Sequence, residues 1–252
     1  LFIDHLCQGR FTILFWRLIL AHLLADFVLQ SKWIAQHKNH SRALLLHGAA
    51  YLLLSTLLLL PCLNLPLMAI LLGLTAFHLL VDAGKGKLAN HWSKLAWLWL
   101  LLDQIVHLFS IALAVYLFSK ADRNFLVQTI VNLDVQRLVQ YLILLILNLF
   151  AGLHVVDIIS REFRPDNANS HRSHALIGIF ERLLITLSVL IGRFEIIGFM
   201  IAAKSIIRLP DANAQDQKDE AKAHQMINYY LIGTFVSYSW AIGWTVLFKW
   251  FV

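Results

Sequence analysis

The sequence predicts an all-α, polytopic transmembrane helical bundle of about seven or eight membrane segments, on three observations. Of the 252 residues, 59% are hydrophobic and only 14% are charged, whereas soluble domains are about 25% charged. Mean hydropathy is +0.68. Apolar runs long enough to cross a bilayer, roughly 20 residues each, recur with short polar connections between them. The net charge of +6 is then not a nucleic-acid footprint, because Lys and Arg of a polytopic chain collect in cytoplasmic loops. Membrane lipids are the expected partners, and nucleic acid is not.

The segments are expected within a single integral membrane domain covering residues 1–252. Four spans fill residues 11–119, at about 11–30, 43–60, 66–83 and 95–119. A fifth span at about 138–159 is followed by "HALIGIFERLLITLSVLIGRFEIIGFMIAAKSIIR", an apolar stretch with a polar waist at 192–195. That stretch reads as a helical hairpin ending near residue 208, either two full spans or a re-entrant pair. Residues 209–225 form a polar cytoplasmic linker and 226–251 the last span. The apolar run after Arg10 is too long for a cleavable signal peptide, and no small-residue cleavage site follows it. Gly73, Gly152, Gly198 and Gly233 are expected to let helices approach closely.

Orientation follows from the loops. Lys32, Lys38, Arg42, Lys85, Lys87, Lys94, Arg161, Arg164, Arg172, Lys218 and Lys222 fall in alternate connections, while "PCLNLP" carries no charge. The positive-inside rule puts the basic connections in the cytoplasm and the N-terminus in the periplasm. Lys120, Arg123 and Arg137, after the fourth span, weaken that asymmetry. Cys7 and Cys62 would then share the periplasmic side, where a disulfide between them is open.

Ionisable residues inside the spans carry the functional signal. The word HLL-any-Asp occurs at His22–Asp26 and again at His78–Asp82. His47 lies early in the second span, Asp103 and His107 early in the fourth, and His154 and Asp157 at the end of the fifth. Alternating chain direction brings all of them to one depth, below the cytoplasmic surface. His22, Asp26 and Gln30 share one helix face at i, i+4 and i+8, and the other pairs are also one turn apart. A charged group at mid-helix costs about 2.5–3.5 kcal/mol on insertion scales and marks a functional site.

A divalent cation bound by His22, Asp26, His47, His78, Asp82, Asp103 and His107 would offset that cost. Mixed imidazole and carboxylate ligands without thiolate suit Zn²⁺ first, with Mn²⁺ or Fe²⁺ as alternatives. Asp26, Asp82 and Asp103 are the candidate catalytic carboxylates, one of them a general base for metal-assisted hydrolysis. The competing reading of any single pair is a polar clamp between helices with no metal. Gln30, His154, Asp157, Arg182, Lys204 and Arg208 are candidate substrate-binding residues. Arg182, which is expected to pair with a carboxylate, would join Lys204 and Arg208 in holding a phosphate headgroup. His5, His37, His40, His91, His171, His174 and His224 fall in or near loops, and His171 and His174 could overhang the site.

No Gly-rich phosphate loop, Gly-any-Ser-any-Gly elbow or HExxH motif occurs, which weighs against ATPases, serine hydrolases and zincins. "LAHLLADFVLQSKWIAQHKNHSRALLLHGAAYLL", "FHLLVDAGK" and "LDQIVHL" resemble an uncharacterised bacterial polytopic inner-membrane family, a domain-of-unknown-function group with HLLxDFxxQ, HxxxD and DQxxH motifs. "ERLLITLSVLIGRFEIIGFMIAAKSIIR" with "YYLIGTFVS" resembles the ending of its longer members. The resemblance implies a bacterial inner-membrane protein and brings no activity with it. The His/Asp pairing also resembles, with a different order and spacing, small bacterial membrane proteins described as metal-dependent hydrolases.

Three functions therefore stand open. The first is a metal-dependent membrane enzyme acting on a lipid-like phosphoester or acyl ester. The second is an ion or metal transporter using the same residues, for which the apolar outer half ("LLLSTLLLL") offers no polar path, Arg17 excepted. The third is a non-catalytic membrane subunit whose polar pairs hold helices together.

Overall fold

The computed structural model describes residues 2–30, 41–91, 96–121, 133–164, 172–215 and 220–251. Every regular element among them is helical. Two compact units emerge, Leu1–Ile143 and Leu144–Val252. The first holds α1 (Phe2–Leu23), α2 (Ser41–Leu58), α3 (Leu65–His91) and α4 (Ala96–Ala121). Helix α5 (Leu133–Ile146) leads into the second unit, which contains α6 (Gly152–Ser160), α7 (Arg172–Leu190), α8 (Glu195–Gln215) and α9 (Glu220–Phe251).

Five stretches are long and apolar enough to cross a membrane: Ser41–Leu58, Leu65–Lys85, Trp97–Ser119, Asp134–Ser160 and Ile227–Phe251. The first expected span and the two hairpin arms also form helices, α1, α7 and α8, but none of these is among the five. Length and hydropathy of the described residues thus support at least five spans.

In the first unit α1 packs on α2, α2 on α3, α3 on α4, and α4 back on α1, closing a four-helix ring. The turn from α2 to α3 is chemically specified. Pro61 sits in a 3-10 turn, Leu60–Cys62, where its missing N–H is tolerated. Asn64 caps α3, its Oδ1 accepting from Leu67 N at 2.9 Å. Arg17 reaches from α1 to the other side of the turn and donates to Leu58 O at 3.0 Å, satisfying a carbonyl that the end of α2 leaves open. Leu18, Tyr51, Leu59, Leu67, Leu71, Ile111, Val115 and Phe118 fill the core, holding the helices together by close packing. Outward positions are apolar as well, with Leu45, Leu53, Leu57, Leu101, Ile105 and Phe109 all more than half exposed. Helices that are apolar on every side belong in a bilayer.

Two helices depart from α geometry beside a buried polar side chain. Residues Leu24–Val28, after α1, form a π-helical turn containing Asp26, and Leu147–Ala151, between α5 and α6, form another containing Asn148. Such turns frequently mark functional positions. In the second unit the loosened backbone supplies acceptors. Trp240 Nε1 donates to Leu147 O at 2.9 Å and Arg182 Nη2 to Leu149 O at 3.2 Å. Asn148 Nδ2 is shared between Thr186 Oγ1 and Thr245 Oγ1 at 2.8 and 2.9 Å. The polar waist is the turn between α7 and α8, where Gly192 takes φ of 75°, a left-handed position open to glycine.

The glycine expectations divide. A Cβ at Gly152 would stand 3.0 Å from Trp240 Cδ1 and 3.1 Å from Arg182 Cδ, tighter than ordinary contact, so helices do approach closely there. Gly73 and Gly198 face open space, and Gly233 makes only ordinary contact, because the closest helix approaches fall elsewhere. One is at Gly48, where a Cβ would come within 2.7 Å of Leu79 Cδ1. Gly48 and Leu79 each follow a histidine of the polar cluster, His47 and His78. Gly48→Val should therefore lower stability by about 1–3 kcal/mol through overpacking, read as a drop in Tm of the detergent-purified chain. Adding Leu79→Ala should recover part of that loss.

Candidate metal centre

Four antiparallel-reading segments deliver seven buried polar side chains to one end of the first unit. His22 and Asp26 come from the end of α1 and its π turn, His47 from the first half of α2, His78 and Asp82 from the second half of α3, and Asp103 and His107 from the first half of α4. All seven are buried, with His22 fully enclosed and His47, Asp82 and His107 each 1% exposed. The imidazoles pack on one another, with ring centroids 4.2 Å apart for His78–His107 and 4.9 Å for His22–His107. Tyr51, one turn beyond His47, stacks on His78 at 4.7 Å and closes the apolar side of the cluster.

Distances within the cluster define its chemistry. His47 Nε2 stands 3.0 Å from His78 Nε2, 3.2 Å from Asp26 Oδ1 and 3.2 Å from Asp82 Oδ2. His78 Nε2 lies 3.5 Å from Asp26 Oδ1 and 3.8 Å from Asp82 Oδ2. A cation bonded tetrahedrally at about 2.0–2.1 Å holds its ligand atoms about 3.3–3.4 Å apart. These five separations bracket that value, and two of them, 3.5 and 3.8 Å, exceed the length of a good hydrogen bond. Asp26, His47 and His78 could thus hold a metal ion together, with Asp82 beside them, as could the groupings of His22 with His78 and His107 and of Asp26 with Asp103 and His107.

Hydrogen bonding around the rim fixes orientation. Lys85 Nζ donates to Asp103 Oδ2 at 2.7 Å, and Gln104 Nε2 donates to the same oxygen at 3.3 Å. A carboxylate only accepts, so the amide of Gln104 must present its Oε1 to His22, which donates from Nε2 at 3.2 Å. The other nitrogen of a neutral His22, Nδ1, then carries a lone pair. It is buried without a hydrogen bond and faces Asp26 Oδ1 at 3.8 Å. A proton on Nδ1 or a cation between the two would satisfy both atoms.

The remaining sequence-predicted residues are placed differently. Gln30 is half-buried just past the π turn. His154 is exposed, with Nδ1 3.2 Å from Phe150 O. Asp157 is held by Arg161 at 2.6 Å and Arg164 at 2.7 Å. Arg182 corrects an expectation: it meets no carboxylate but donates to Ser237 Oγ at 3.0 Å and to Leu149 O. It is 1% exposed, and the neighbouring acid, Glu181, is taken by Lys204 at 2.6 Å. Arg182 and Lys204 are therefore engaged separately, because the π turn offers Arg182 neutral acceptors. The side chain of Arg208 lies outside the described residues, as do those of Cys7, His5, His37, His40, His91, His171, His174 and His224.

Sequence reasoning missed Lys85, Gln104 and Tyr51 as parts of the centre. Lys85 follows Asp82 by three residues and Tyr51 follows His47 by four, so helical spacing could have found both. Gln104 adjoins Asp103 in sequence, and spacing gave no sign that it also reaches α1. Replacing Gln104 with Leu leaves a buried His22 N–H unpaired and should cost about 1–3 kcal/mol. Thermal unfolding should show that loss, with little change for the exposed Phe109→Leu.

Among curated proteins and among solved structures, nothing matches the chain. A family match does exist, and it spans all seven clustered residues together with Lys85 and Gln104. Residues 14–136 match the family described as "Protein of unknown function (DUF3307)".

Proposed function

We propose that the chain is an integral membrane enzyme, a metal-dependent hydrolase acting on a lipid-like phosphoester or acyl ester. In this reading it crosses a bacterial inner membrane in seven or eight segments, with its N-terminus in the periplasm and the centre under the cytoplasmic leaflet. The observation that carries the proposal is the set of 3.0–3.8 Å separations among Asp26, His47, His78 and Asp82. Zn²⁺ suits this donor set first, and Mn²⁺ or Fe²⁺ are the alternatives. A bound divalent cation supplies Lewis acidity toward water and toward an ester oxygen. With Asp26 and Asp82 as ligands, Asp103 is the third carboxylate of the centre: its Oδ2 is held by Lys85 and Gln104, and its Oδ1, without a hydrogen bond, is the atom that would take up a proton. The apolar outward faces of α2 and α4 suit a substrate that arrives from the lipid.

A transporter would need a polar path onward from the centre. Beyond it the buried residues are mostly apolar (Leu18, Leu59, Leu67, Leu71, Ile111 and Phe118), Ser55 and Thr75 being polar exceptions, of which Thr75 is turned back onto Leu71 O. Arg17, the polar residue on that side that the sequence singled out, is occupied in capping α2. Both facts favour a site that holds its cation over one that passes it.

Elemental analysis of the purified chain tests the proposal. Zinc, manganese or iron should be present near stoichiometrically and be lost in an Asp26→Ala, Asp82→Ala double variant. Chelation should lower the Tm of the wild type, as expected for a ligand bound only by the folded state. A metal-free wild type with unchanged Tm would favour a helix clamp without catalysis.

A further inference from the structure

The apolar stretch of α3 that is long enough to cross a membrane, Leu65–Lys85, ends at Lys85. A lysine at the end of a span ordinarily extends its ammonium toward water and headgroups. This one turns inward, to Asp103 Oδ2 at 2.7 Å. Among the described residues it is the one lysine or arginine paired with a carboxylate of the centre. Its side chain is 28% exposed, against 3% for Asp103. Next to it on α3, a Cβ at Gly84 would meet nothing within 4 Å. Lys85 thus joins the buried centre to an uncovered turn of α3.

An ammonium has three N–H donors and no acceptor. Among the described residues Asp103 Oδ2 is the one hydrogen-bond partner of Lys85, which leaves two donors for a ligand. Asp103 Oδ1, the other oxygen of the same carboxylate, is buried without a hydrogen bond and stands 3.4 Å from His107 Nε2. A ligand oxygen held by Lys85 would therefore lie within one carboxylate group of the imidazoles. The charge of that ligand follows. Three carboxylates repel an anion, and an uncharged acyl ester needs no fixed cation to approach them. A phosphate ester carries negative charge on its non-bridging oxygens, and lysine holds phosphate as a point charge. An ammonium at the edge of the centre, with two donors in hand, meets that requirement.

We infer that Lys85 is the phosphate-binding residue of the centre, and that the substrate is a phosphate ester and not an acyl ester. This rests on the hydrolase reading above, which left the two ester classes open. Lipid-borne and water-soluble phosphate esters share the chemistry that Lys85 recognises. A Lys85 that only neutralised Asp103 would govern folding and metal content but not phosphate affinity.

The test is binding of inorganic phosphate and of octyl phosphate to the intact, detergent-purified chain, loaded with Zn²⁺ and freed of excess metal. Affinity is read from the rise in Tm with ligand concentration. Both should bind the wild type. Lys85→Met should keep its metal and bind both about 10–100-fold more weakly, as expected for losing a hydrogen bond to a charged group. Lys85→Arg should recover most of that affinity. Tighter binding of octyl phosphate would show that the phosphate arrives on a lipid, and equal affinities that it arrives from water. On the wild type itself, either phosphate should protect Lys85 from reductive methylation, read by peptide mass, which decides the question if Lys85→Met fails to fold. Unchanged phosphate affinity in Lys85→Met, no protection of Lys85, or a metal-loaded wild type that binds neither phosphate would overturn the inference and leave the metal centre standing. A wild type that holds no metal would overturn the centre and the inference with it.

Discussion

Three carboxylates and four imidazoles lie side by side at one end of the α1–α4 ring, each nearly or wholly shut off from solvent. An uncompensated ion in such surroundings costs several kcal/mol, a large fraction of the 5–15 kcal/mol that holds a typical domain together. Lys85 answers for one carboxylate. The remaining two, with the lone pairs turned toward them, define the space in which a divalent cation would balance the charge. Without that balance, His47 between Asp26 and Asp82 would be the main source of compensation.

The rest of the first unit fits this demand. Gly48 brings α2 against Leu79 of α3, and the histidine before each is thereby brought to 3.0 Å from the other. A π turn at Leu24–Val28 places Asp26 beside His22 at the end of α1. Asn64 and Arg17 secure the opposite end of the hairpin. The second unit solves a similar problem with neutral groups. Arg182, enclosed and without a carboxylate, rests on a serine hydroxyl and a carbonyl of the π turn.

Much of the fold was legible because membrane helices announce themselves by length and hydropathy, and the turn at residues 192–195 by its polarity. The seven clustered residues were legible for a related reason. Antiparallel helices convert sequence position into depth, so His22, His47, His78 and His107 had to meet at one end if the spans were right. What spacing could not reveal was backbone geometry that departs from 3.6 residues per turn. Neither π turn has a sequence signature, and the neutral partners of Arg182 depend on one of them. Helix rotation was equally hidden, which is why Gly73 was expected at a close approach and instead faces open space. His154 and Asp157 followed the same depth logic, yet one is exposed and the other is satisfied by local arginines. Depth alone does not tell which way a side chain faces.

The central claim is that the cluster is a cation site with imidazole ligands. X-ray absorption at the metal edge of the purified protein tests it most directly. The account predicts a shell of four or five nitrogen and oxygen atoms at about 2.0–2.1 Å, with outer-shell scattering from two or three imidazoles and no sulfur. An all-oxygen shell of six, lacking imidazole scattering, would mean that the metal binds elsewhere and would contradict the account.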